Sequence, residues 1–325
     1  MSAQVFVKLF VIFAVVAVGW AVGRSGRLGS GDPARTLSNA AFYIFVPALL
    51  FRTTARVDFH TLDPTTLLAF FVPTLALLAL VYGAELWRRQ ADHGAAAAPS
   101  VRAITASFGN TVQVGIPLAA ALFGEAGLAI HVTIVSLHSL TLLTVLTALV
   151  ELDLARERRR SDPTHAHLAR LLATTARNTL IHPVVLPVLA GLTWNLCGAA
   201  LPPFADEILQ TLGLAVVPLC LVLIGVSLAH YGMRGAVRSA TALALIKLIV
   251  HPLAVIAFGH WVLGLAGLPL AIVVMMAALP VGSNALIFAQ RYETLPAETN
   301  SAVVVSTLGF VATAPLWLAA LHVLG

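Results

Sequence analysis

The sequence predicts an all-α polytopic membrane protein. Ten transmembrane helices form two inverted five-helix repeats, with broken, crossing helices in the fourth and ninth spans. Three observations lead there. The chain is 59% hydrophobic and only 10% charged, with a mean hydropathy of +0.93. Its apolar residues fall into ten runs, most of them close to the roughly 20 residues that a helix needs to cross a bilayer. Its basic residues crowd into alternate links. A soluble domain carries about 25% charged residues, and surface-to-volume scaling leaves a chain of 325 residues too little interior for so much apolar surface. The strict alternation of membrane barrel strands is absent, so the runs are helical.

The first run, 5–23, is broken by Lys8 and is long enough to span, so it predicts a membrane helix and not a cleaved leader. The second (37–55) contains FVPALL, and the third covers 66–87. The fourth (101–121) opens a segment reading SFGNTVQVGIPLAAALFG, and the fifth covers 128–151. A polar link, 152–178, carries Arg156, Arg158, Arg159, Arg160, Arg170 and Arg177 with His165 and His167, and reads as a solvated loop. The second half repeats the pattern over 179–197, 207–230 with VVPLCL, 237–262, 269–290 with AALPVGSNALIFAQ, and 300–323. The organisation is therefore a first repeat at 1–151, a cytoplasmic loop at 152–178 and a second repeat at 179–325. Cys197 and Cys220 form neither a disulfide framework nor a metal spacing.

Charge sets the orientation. The links after the odd-numbered spans hold 15 Lys and Arg residues, and the other side holds 3: Lys8, Arg52 and Arg56. This positive-inside bias puts the long link in the cytoplasm and both termini outside. It also accounts for the net charge of +5 without invoking nucleic acid. An odd number of spans per half turns the second half upside down. An offset of 171 carries Pro47 onto Pro218 and the middle of span 4 onto the middle of span 9.

Gly109, Gly115 and Pro117 interrupt span 4, and Pro280 and Gly282 interrupt span 9. Proline in a helix interior removes a donor and costs about 3 kcal/mol. Two interruptions at corresponding places in the halves point to a midplane binding site. With a rise of about 1.5 Å per residue, Asn110 and Pro280 lie about 14 and 16 Å deep in a core about 30 Å thick. Asn110, Thr111, Gln113, Ser283 and Asn284 are the polar groups there. Half-helices restarting after each break aim N-terminal dipoles at the same region, each worth about half a positive charge, which suits a small anion.

Lys247 adds a full charge at about 14 Å depth, where its cost demands a partner. It either binds the anion or caps carbonyls at the crossing. His251, one turn on, and His138, in the middle of span 5, are further candidates for site contact or a polar network. His131, His182 and His260 lie nearer the span ends. No chelating triad at one depth stands out, so neither a metal nor another cofactor is expected.

These motifs resemble the auxin efflux carrier family, which includes plant auxin exporters and bacterial permeases assigned to malonate. GNTVQVGIP resembles the family's Asn-Thr…Gly-Ile-Pro segment, and AALPVGSNALIFAQRYE its Ala-Leu-Pro…Phe-Ala segment. FVPALLF and VELDLA also fit, and the likeness covers nearly the whole chain. The resemblance implies a scaffold of helices 1, 2, 6 and 7 with a homodimer contact. It also implies a moving transport domain of helices 3–5 and 8–10, with the crossing at Pro117 and Pro280. Asn110 falls on the substrate-contact position, His138 where plant members often have Gln, and Asn284 where they tend to be apolar. The implied function is elevator-like, alternating-access movement of a small organic carboxylate anion across a bacterial inner membrane. Coupling to a proton, to sodium or to no ion stays open. A membrane-embedded enzyme and a sensor or structural membrane protein are the alternatives. No nucleophile–base motif supports the first, and no soluble output domain the second.

Overall fold

The structure, a computed structural model, describes residues 3–29, 31–56, 63–92, 95–161, 185–231 and 237–324. Most of the central link lies outside the described residues, with His165, His167, Arg170 and Arg177, as does His182. All regular elements among the described residues are helices.

The first half begins with α1 (Ala3–Arg24), α2 (Pro33–Ala40) and α3 (Val46–Ala55). Asp32 starts α2 by accepting the Arg35 N–H at 2.9 Å. Proline follows at the first helical position, where a missing donor costs nothing. Next come α4 (Pro64–Asp92), α5 (Ala98–Ser107) and α6 (Ile116–Ser161). The second half holds α7 (Val185–Leu196), α8 (Pro203–Leu214), α9 (Val216–Tyr231), α10 (Val237–Leu245) and α11 (His251–Ile256). It closes with α12 (Gly267–Ala278), α13 (Ser283–Arg291) and α14 (Pro296–Leu324).

Wide π-helical turns run Ala41–Phe45, Thr111–Gly115, Ile246–Val250 and Ala257–Val262. The first three share a cause in the sequence. Each is followed, two residues on, by a proline: Pro47, Pro117 or Pro252. The ring would collide with the carbonyl one turn back and supplies no N–H, and widening the preceding turn relieves both problems without ending the helix.

Among the described residues, six helical stretches are long and apolar enough to cross a membrane: Pro33–Ala55, Pro64–Arg88, Thr111–Val135, Pro203–His230, Val237–Val262 and Pro296–Leu324. The third contains a reversal. Gly124 takes φ 66° and ψ −158°, a backbone that favours glycine. A His131 ring nitrogen then lies 2.8 Å from the Thr111 carbonyl oxygen, whereas a straight helix would hold residues so spaced about 30 Å apart. So α6 is a helical hairpin that turns back at Gly124.

Packing follows side-chain size and charge. α1 lies directly on α9: a Cβ on Gly19 would meet the Val222 carbonyl, and one on Gly225 the Val16 carbonyl. Small residues of this kind let helix backbones touch in a membrane. Arg102 of α5 forks onto Glu298 of α14 at 2.8 and 3.2 Å and reaches Glu85 of α4 at 2.6 Å. Buried Asp153 accepts from Tyr82 at 2.8 Å and Ser100 at 3.3 Å, which ties α6 to the same group. Elsewhere, Arg52 and Arg56 both pair with Asp206, at 2.8 and 2.7 Å. The sequence alone counts these two arginines only toward the charge of the outer side.

Candidate functional site

The two interrupted segments meet at their breaks. Asn110 N–H donates to the Pro280 carbonyl at 2.7 Å, and Gly282 N–H to the Phe108 carbonyl at 2.9 Å. Gly109 and Val281 thus face each other as an isolated antiparallel bridge. Phe108 and Val281 belong to one apolar core, and Val112 and Leu279 to another, so the crossing lies between the two. Glycine is required for this approach: a Cβ on Gly282 would lie 2.7 Å from the Gly109 oxygen.

The crossing corrects one expectation. It lies at Gly109 and not at Pro117, which sits in the first turn of α6. The preceding π turn already absorbs the proline, so the helix continues through it. Pro280 does take part, as the acceptor for Asn110 N–H.

The restart of the helix after Gly109 is capped from within. Asn110 Oδ1 accepts from Gln113 N–H at 3.1 Å, and its amide nitrogen donates to Gln113 Oε1 at 3.2 Å. Backbone groups freed by the breaks also find protein partners. Val281 N–H donates to Ser306 Oγ at 3.0 Å, and the Thr111 carbonyl meets His131. The sequence reading missed Ser306, a hydroxyl in the middle of an apolar span, which was the available signal.

Beside the crossing lies a cavity of about 360 Å³. Asn110, Gln113 and Ser283 line it, so three of the predicted site residues come together there. Its remaining polar lining comes from elements that the sequence reading did not consider. α2 and its cap give Asp32, Arg35, Ser38 and Asn39; α9 gives Ser227; α14 gives Asn300 and Thr307. Positions 35, 38 and 39 fall on one helical face, as do 300 and 307, and that periodicity was open to view. Asp32 is engaged with its helix N-terminus and lies 3.6 Å from His230 Nε2. The exposed Arg35 guanidinium has no ion pair among the described residues.

The other predicted residues are placed differently. Thr111 is buried at the crossing, and Asn284 is half-buried one residue beyond Ser283. Lys247, His138 and His251 are fully buried and do not line the cavity. Lys247 Nζ donates to the Ala277 carbonyl in the last turn of α12. His251 Nε2 lies 2.8 Å from Thr74 Oγ1. Because the Thr74 hydroxyl donates to the Phe70 carbonyl at 2.6 Å, His251 is the donor in that pair. His138 packs between Phe108 and Phe70, with ring centroids 4.5 and 5.6 Å away. Neither of its ring nitrogens has a hydrogen-bond partner among the described residues. Among those residues, no group of three His, Cys, Asp or Glu is placed to hold a metal.

An apolar, all-helical chain with two broken helices crossing beside a polar cavity is built as a membrane transporter. The chain belongs to the membrane transport protein family, that of the auxin efflux carriers, which matches residues 4–318. It is 25% identical to an uncharacterized transporter of Methanothermobacter thermautotrophicus over 312 residues, which covers 94% of this chain and 95% of the relative. It is 24% identical over 322 residues to the uncharacterized transporter YfdV of Escherichia coli K12, covering 95% of each. Auxin efflux carrier component 8 of Arabidopsis thaliana is 20% identical over 337 residues, covering 91% of this chain and 92% of the plant protein.

Proposed function

We propose that the protein moves a small organic carboxylate anion across a bacterial inner membrane by an elevator-like, alternating-access mechanism, and that it is not an enzyme. The observation that carries this reading is the cavity. Its wall brings together the capped restart at Asn110, the first residue of α13 and the guanidinium of Arg35. Helix N-termini attract anions, and the fork of an arginine suits a carboxylate. A volume of about 360 Å³ falls within the range of small-molecule sites.

Two bodies support the elevator reading. α4–α6 and α10–α14 are tied together by the crossing, by Arg102 with its two glutamates and by Lys247 on Ala277. α1 lies on α9, and α3 on Asp206 of α8, in what would be the scaffold. The cavity takes residues from both bodies: Ser38, Asn39 and Ser227 from one, and Asn110, Gln113, Ser283 and Asn300 from the other. Substrate there would travel with the second body as it slides past the first. Ten spans in two inverted repeats, with both termini outside, put the Asp32 and Arg35 end of the cavity on the cytoplasmic side. By family likeness the scaffold helices also form a homodimer contact.

Proteoliposomes preloaded with unlabelled mono- and dicarboxylates should show counterflow of the labelled compound. Arg35→Gln should weaken its affinity at least about tenfold, equivalent to about 1.4 kcal/mol. A folded protein that moves a neutral or cationic solute but no carboxylate would overturn the substrate class.

A further inference from the structure

The lysine at the crossing does more than tie two helices together. Lys247 lies in the wide turn Ile246–Val250 and is wholly buried. Its ammonium donates to the Ala277 carbonyl. In a continuous helix that carbonyl would accept from the Val281 N–H. The break takes this donor away, because Val281 N–H turns to Ser306 Oγ at 3.0 Å. Ala277 is thus one of the orphan carbonyls at the negative end of a half-helix. Gly109 packs against the charge: a Cβ there would lie in ordinary contact, 3.4 Å from Nζ and 3.5 Å from Cε. No carboxylate forms an ion pair with Lys247 among the described residues. Among the described residues, the imidazoles of His138 and His251 lie within reach of its charge.

A buried cation held by an orphan helix-end carbonyl, beside unwound backbone, occupies the place where broken-helix transporters seat a coupling cation. We propose that the Lys247 ammonium is a tethered, resident cation in that seat. The crossing is therefore complete without sodium, and deleting the side chain exposes a latent site for a small monovalent cation. The energetic logic is substitution. An ion bound from solution must be dehydrated at each binding event, whereas the lysine is dehydrated once, on folding. The inference bears on ion coupling in the proposed transport but rests on the crossing alone, so it is tested without any substrate.

Purified wild-type protein and the Lys247→Ala and Lys247→Met variants, all prepared in sodium chloride, would be exchanged into choline, sodium, lithium or potassium chloride at equal ionic strength. Thermal unfolding in detergent is the readout. The wild-type midpoint should be the same in sodium and choline. Lys247→Ala should melt lower in choline and recover in sodium or lithium along a saturating curve. Lys247→Met, whose chain fills the space, should melt lower without recovery. A wild type that needs sodium overturns the proposal. So does Lys247→Ala that is as stable as wild type in choline, or that no cation restores. Failure of Lys247→Ala to fold even in sodium also overturns it, since no ion then fills the seat. Counterflow of carboxylates is unaffected by any of these results as a test of the transport reading.

Discussion

Gly282→Ala is the sharpest perturbation of the crossing. The added Cβ would lie 2.7 Å from the Gly109 oxygen, and 3.0 Å from both the Gly109 carbonyl carbon and Phe108 Cδ1. An ordinary contact begins near 3.4 Å, so the two segments must part by about 0.7 Å, because neither backbone can swing aside as a flexible side chain can. The hydrogen bonds joining them measure 2.7 and 2.9 Å. Parting by that distance stretches both to about 3.4–3.6 Å, at the edge of what counts as a bond. Each buried backbone group left unpaired costs about 1–3 kcal/mol, and tilting the segments would recover part of that, so the net loss should be about 2–4 kcal/mol. Gly83→Ala in α4 is the control: it has helical neighbours and nothing within 4 Å of the new carbon. Thermal unfolding of both variants in detergent should show Gly282→Ala well below wild type and Gly83→Ala at or above it. Equal midpoints for the two would refute the claim that the crossing depends on this backbone contact.

Arg102→Leu should lower stability by about 2 kcal/mol, because it strands Glu298 while Glu85 keeps only Arg88 at 3.1 Å, a cost reduced by partial solvent access. Arg102→Lys should recover only part of this, since an ammonium cannot fork onto Glu298, and unfolding midpoints of the two variants would check the order. Native Cys197 is exposed and Cys220 buried. An impermeant maleimide added to intact cells should therefore label Cys197 alone, while a cysteine at Ser25 in a Cys197→Ser background should label only after permeabilisation. Labelling at position 25 from outside would invert the proposed topology.

Much of the architecture was legible because a bilayer imposes simple rules. Apolar run length marked the chain as helical, with six stretches among the described residues long enough to span a membrane, and glycine with proline inside a run marked the breaks. The interruption was read from Gly109 to Pro117, and the crossing that the resemblance implied at Pro117 falls at Gly109. A proline is the loudest local signal, but a π turn can silence it, whereas Gly109 matters only because another backbone touches it. Sequence depth fixes how far a residue lies along a span and says nothing about the direction in which it points. Lys247 and Asn110 have similar depths, yet one donates to a helix end and the other lines the cavity. The polar wall was harder still to find, because Arg35, Ser227 and Asn300 come from helices far apart in the chain and converge only through packing.

The hydrogen bonding at the crossing also limits what a substrate can do there. Breaks in membrane helices leave donors and acceptors that need partners, and the sequence alone allows a ligand to supply them. Here the protein supplies them. Asn110 and Gly282 N–H groups go to the opposite segment, Val281 N–H goes to Ser306, and the Thr111 and Ala277 carbonyls meet His131 and Lys247. A crossing satisfied in this way does not depend on a ligand for its hydrogen bonds, which suits the sliding body of the proposed mechanism. Under the proposed function, recognition then falls to the side chains of the cavity wall and to the helix N-termini that open onto it. Substitutions at the crossing should therefore be felt first as stability. Those at Arg35, Ser38, Asn39 and Asn300 should be felt as affinity and choice of anion, with unfolding midpoints left near wild type.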